Sequence, residues 1–113
     1  MDSILNTVKR FVGLTDEDPS FDDQLLVHIN SALAALAEIG VGPKEGYRVT
    51  GADESWAEFM GESPQLNLVQ DYVSIKVKLV FDPPQNQAVK DALEQTLAEN
   101  TWRIDVRCGR MTL

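Results

Sequence analysis

The chain has 113 residues, 43% of them hydrophobic and 25% charged, and a net charge of −8. That length suits one domain with one modest core, and no stretch approaches the roughly 20 apolar residues of a membrane span. The charge is uneven: residues 1–62 hold twelve acids against four bases, while residues 63–113 hold six of each, so the chain is not expected to grip nucleic acid, which needs clustered Lys and Arg.

The N-terminus lacks the basic region and cleavage site of a signal peptide, so the protein is expected to fold where it is made. Ile4, Leu5, Val8, Phe11 and Val12 then fall on one face of a helix, with Asp2 or Ser3 to cap its start and Gly13 to end it. Residues 15–20 are acidic and polar and read as a loop. Ser20 is the expected N-cap of the next helix, with Asp23 completing a weak capping box. Leu25, Leu26, Ile29, Leu33, Leu36 and Ala37 trace that helix's apolar stripe. Ser31, Ala32, Ala34 and Ala35 fill much of its remaining surface and would let another helix approach closely. Gly40 stops it, with Pro43 beyond.

Residues 41–52 are the least regular part, with Tyr47-Arg48-Val49-Thr50 as a short extended segment. Asp53 or Ser55 begins a short helix that turns Trp56, Phe59 and Met60 inward, ended by Gly61. The strongest element covers residues 64–81, where Leu66, Val69, Val73, Val77 and Val80 repeat at intervals of 3, 4, 4 and 3. Leu68, Tyr72, Ile75, Leu79 and Phe81 widen the apolar surface, as expected of a central helix touched from several sides. Asp82-Pro83-Pro84 stops it and primes the next helix, with Asp82 as cap and a proline in the first turn. Val89, Leu93 and Leu97 carry that last helix to about Arg103. The expected fold is all-α: a compact bundle of four to five helices with short loops and an extended C-terminal tail. Residues 1–103 form the single domain and residues 104–113 the tail.

Chemistry is sparse. Asp16, Asp18, Ser20 and Asp22 imitate the early spacing of a calcium loop, but its sixth and twelfth positions hold Phe21 and Val27 instead of Gly and Glu. His28 is the only histidine and has no partners at zinc or triad spacing; it reads as a hydrogen-bonded residue at the edge of a core or interface. Gly40-Val41-Gly42-Pro43 follows a helix and is too short to cradle a phosphate. Cys108 is a lone thiol, suited to a reducing compartment, with no base arranged beside it. No catalytic residue, metal site or cofactor is expected. Trp56 and Trp102 read first as core residues; Trp102, beside Arg103, reads alternatively as an anchor for a partner.

Several stretches together resemble the head–tail connector (portal adaptor) family of tailed bacteriophages. They are His28-Ile29-Asn30-Ser31-Ala32, Leu36 with Gly40-Val41-Gly42-Pro43, and Trp56 with Phe59. Then come Lys76-Val77-Lys78-Leu79 running into Phe81-Asp82-Pro83-Pro84, and Glu99 with Trp102-Arg103. Their order covers residues 1 to about 106. The resemblance implies a non-enzymatic virion subunit that forms a ring, often of about twelve copies. Such a ring attaches to the portal protein, extends the DNA channel without binding DNA specifically, and docks the stopper or tail-completion protein. It assembles in the host cytoplasm and engages no membrane.

The resemblance implies a partner-facing C-terminal region: Trp102, Arg103, Ile104, Val106, Arg107, Arg110, Met111 and Leu113. Residues 104–113 would reach the portal. Asp16, Glu17, Asp18, Asp22 and Asp23 would then face the channel or a neighbouring subunit. The competing reading is a small acidic phage-encoded regulator that binds a host protein, as a DNA mimic does; the apolar central helix and the neutral second half weigh against it.

Overall fold

The computed structural model describes residues 3–43, 46–61 and 65–107. Five helices follow in chain order: α1 (Ile4–Phe11), α2 (Asp22–Glu38), α3 (Trp56–Met60), α4 (Leu66–Phe81) and α5 (Gln87–Arg107). Among the described residues there is no strand, only an isolated antiparallel bridge between Ser3 and Ser55. The all-α expectation holds.

The reasons are local first. Ser3 caps α1, its Oγ accepting the Asn6 N–H at 3.2 Å. Lys9 and Arg10 in the last turn suit the negative end of the helix dipole. Ser55 caps α3 in a full capping box: its Oγ accepts from the Glu58 N–H, and the Glu58 carboxylate accepts from the Ser55 N–H. These two helix starts are stapled together. The Ile4 N–H donates to the Glu54 carbonyl at 3.0 Å, and the Trp56 indole N–H donates to Thr7 Oγ1 at 3.0 Å.

α4 is the central element and packs against α1, α2 and α5. Val69, Val73 and Val77 are wholly buried, with Tyr72 and Ile75 close to it. Leu25, Ile29, Ala32, Leu33 and Leu36 of α2 and Ile4, Leu5 and Val8 of α1 close the core around them. Each Val, Leu or Ile among them contributes on the order of 1.5–3 kcal/mol by leaving water. The stripes differ from expectation at their ends, where Ala37 and Val80 are exposed.

Three boundaries fall elsewhere than expected. Ser20 does not cap α2. Its own N–H is taken by Asp18 Oδ1 at 3.0 Å, and the helix starts at Asp22 with Phe21 as an N-cap that makes no side-chain hydrogen bond. Phe21 instead packs edge-on against Phe81, ring centroids 5.4 Å apart, and Asp22 and Asp23 favour the dipole from the first turn. Asp82 does not cap α5 either. Its carboxylate turns back to Lys78 Nζ at 3.3 Å, and beyond the two prolines Asn86 Oδ1 accepts from the Ala88 and Val89 N–H groups at 2.8 and 3.2 Å. Finally, α5 runs four residues beyond Arg103 to Arg107, because Ile104 continues its buried face and is 0% exposed. The start of the expected tail is thus helix; residues 108–113 lie outside the described residues.

Tyr47–Thr50 is irregular chain. Asn30 of α2 holds it. The Asn30 side-chain amide donates to the Val49 carbonyl at 2.9 Å and its oxygen accepts the Val49 N–H at 2.8 Å. One side chain therefore supplies both bonds that a neighbouring strand would have made. The loop's turn needs Gly42, whose φ is +90° and where a Cβ would stand 2.5 Å from the Phe59 ring.

Candidate assembly surfaces

The acidic loop between α1 and α2 is tied to the chain's own bases. Lys9, 2% exposed, places Nζ 3.0 Å from Asp22 Oδ1 and donates to the Asp16 carbonyl at 3.0 Å. The Asp16 carboxylate receives Arg10 in a fork, from Nε at 3.0 Å and Nη2 at 2.7 Å. That guanidinium holds the Asp16 carboxyl below the usual carboxylate range. Asp18 is held low by its hydrogen bonds from the Ser20 side chain and backbone. Of the five acids expected to face a channel or neighbour, Asp16, Asp18 and Asp22 have intramolecular partners, while Glu17 and Asp23 are exposed. The calcium-like spacing is thus occupied by the bonds of Asp16 to Arg10 and of Asp18 to Ser20 and by the ion pair of Asp22 with Lys9. Among the described residues no three His, Cys, Asp or Glu side chains gather as a metal site would require. His28 is half-buried on α2, and Cys108 lies outside the described residues.

Lys9 was the residue missed in the sequence. Its signal was positional: four residues after Leu5 and three before Val12, it lies on the apolar face of α1, where a lysine needs an anion.

The C-terminal candidates divide. Trp102 is 62% exposed and Val106 40%, and Arg103 is exposed. Ile104 is wholly buried against the core, so it does not face a partner. The Arg107 side chain, Arg110, Met111 and Leu113 lie outside the described residues. Asn100 and Ile104 point into the domain. Trp102, two residues from each, therefore points away from it, with Ala98 and Val106 one turn to either side. Trp56, by contrast, is 2% exposed, so the two tryptophans have opposite roles.

A second unfilled surface lies on the outward side of α2. An open groove of about 670 Å³ runs beside Val27, Ser31 and Ala34, with Asp23 toward the helix start and Arg48 on the opposite wall. The small side chains noted in the sequence split: Ala32 is buried in the core, while Ser31 and Ala34 are exposed in this groove. Val27 is 63% exposed. The groove's far wall is the loop that Asn30 holds, so its shape depends on that one amide.

Among the described residues no helix is long and apolar enough to cross a membrane. What the arrangement offers is contact: two outward faces on a helical frame. No curated protein and no solved structure matches the chain significantly. A family model described as phage connector protein matches residues 4–111. That is nearly the whole chain, and the chain belongs to the phage connector protein family, structural components of the phage particle that assemble with other head or tail proteins.

Proposed function

We propose that this connector is a ring subunit at the head–tail junction, attached to the portal protein and carrying the stopper or tail-completion protein on its other side. Its work is structural rather than catalytic. By analogy with portal symmetry the ring holds about twelve copies, assembles in the host cytoplasm and remains in the virion. DNA passes through it without specific binding. The match to the connector family over residues 4–111 carries this reading.

The exposed acids support the channel role in a limited way. Glu17 and Asp23 are free to face DNA or a neighbouring subunit, where negative charge discourages phosphate from sticking. The C-terminal end of the chain, Arg107 and the segment bearing Arg110, Met111 and Leu113, is the side proposed for the portal. The regulator reading retains only the net charge, and three of the acids it would use are bonded within their own chain.

Native mass spectrometry of the protein, alone and mixed with the portal protein encoded near it, tests the proposal. A complex with about one copy per portal subunit is the expected result. Failure to bind an intact portal ring would overturn it.

A further inference from the structure

We infer that neighbouring copies join head to tail, Trp102 of one copy seating in the α2 groove of the next. The inference rests on the ring reading above and names the two surfaces that would make the ring.

Three observations carry it. The first is orientation. α4 packs on α2 and on α5, and the groove residues Val27, Ser31 and Ala34 lie on the side of α2 away from its buried Leu25, Ile29 and Leu36. Trp102 lies on the side of α5 away from Ile104. Each face thus looks away from the side its own helix buries, and Trp102 is not among the residues that line the groove of its own chain; a second copy can join the two. Because the faces differ, the contact is heterologous and propagates, which a closed ring requires and a two-fold dimer does not.

The second is shape. Trp102 stands out at 62% exposure, flanked along the helix by Ala98 and Val106. That ridge of one large side chain between smaller ones meets a groove floored by Ser31 and Ala34, where small side chains let a helix come close. Tryptophan and arginine, here adjacent as Trp102 and Arg103, are both among the residue types enriched at interface hot spots.

The third is charge. The groove carries Asp23 and Arg48, and the hollow beside Trp102 is lined by Glu99 and Arg103. Each face presents one acid and one base, so Asp23 with Arg103 and Arg48 with Glu99 pair across the contact. A rim of this kind fixes register and suppresses wrong partners.

The test is cross-linking in the full-length protein with Cys108→Ser as background. Ser31→Cys and Ala98→Cys are introduced separately and together, and a short bis-maleimide is added to the assembled protein. The expected result is a ladder of covalent multimers from the double variant and only monomer from either single one. Trp102→Ala is expected to weaken subunit association about thirtyfold while leaving the melting temperature of the dilute monomer unchanged. A covalent dimer from Ser31→Cys alone would mean a two-fold contact and overturn the inference. So would a ring seen by native mass spectrometry that gives no ladder, or Ala98→Cys linking to the portal protein instead; both leave the ring reading standing. If no ring forms with or without the portal, the ring reading itself fails and the inference goes with it.

Discussion

Lys9 of α1 and Asp22 of α2 form an ion pair at 3.0 Å in which the lysine is 2% exposed and the aspartate side chain 30%. The lysine's other bond, to the Asp16 carbonyl, ties the intervening loop down as well. The pair thus fixes where α2 starts relative to α1. Removing only the anion strands a buried ammonium. Asp22→Ala should therefore cost about 1–3 kcal/mol, below the value for a fully buried pair because solvent reaches the aspartate. Lys9→Met combined with Asp22→Ala should recover most of that loss, since no charge is left inside. Urea unfolding of the single and double variants measures both.

The pH dependence has a sign at each end. Asp16 and Glu54 have their pKa values lowered, Asp16 chiefly by its Arg10 hydrogen bonds and Glu54 chiefly by its Thr50 hydrogen bond. A carboxylate whose folded pKa is depressed contributes stability above its unfolded value that is lost as pH falls through the folded one. Acid unfolding should therefore begin below the unperturbed values of 3.8 and 4.5, and Asp16→Asn should flatten that limb. Tyr47 behaves oppositely. Burial and the nearby Glu58 push it from 10.0 to about 12. Between those values the unfolded chain releases the phenol proton and the folded chain keeps it, so stability falls as pH rises. Tyr47→Phe should remove that alkaline loss, read from the denaturation midpoint at pH 9 and pH 11.

Repetition made the helices legible. The intervals of Leu66, Val69, Val73 and Val77 mark α4 as a helix and its wide apolar surface puts it at the centre, and Asp53 or Ser55 with Gly61 bound α3, because these signals act within a few residues. The α2 and α5 starts were misplaced for the opposite reason. Phe21 answers to Phe81, 60 residues away in sequence, and Asp82 prefers Lys78 to the helix that follows two prolines. Local capping rules cannot see such partners. The outward faces were half legible: the small residues of α2 and Trp102 stood out. Which small residues face the core and which the groove depends on how α2 rolls against α4.

Asn30 is the clearest case of a residue whose role only the fold reveals. Its amide serves both the N–H and the carbonyl of Val49, and Val49 is 1% exposed. Asn30→Ala leaves two backbone groups unpartnered beside a buried valine. The expected cost is about 2–3 kcal/mol. Asn30→Asp keeps the acceptor for the Val49 N–H but sets a carboxylate oxygen against the Val49 carbonyl, so it should not restore the wild-type stability. Hydrogen exchange at the Val49 amide reports the local effect: protection should vanish in Asn30→Ala while amides at the centre of α4 remain protected.

The two tryptophans separate stability from assembly. Trp56 is 2% exposed and its indole N–H bonds to Thr7 across 49 residues of sequence. Trp56→Ala should cost about 3–5 kcal/mol, the value for emptying a large core site, and Trp56→Phe less, the remainder reflecting the lost bond to Thr7. Trp102 rests on its own helix with most of its surface in water, so Trp102→Ala should move the stability of the monomer by no more than about 0.5 kcal/mol. Chemical denaturation at a concentration where the protein is monomeric compares them directly. If Trp102→Ala proved as costly as Trp56→Ala there, its indole would be packing against its own domain, and the outward face assigned to α5 would not exist.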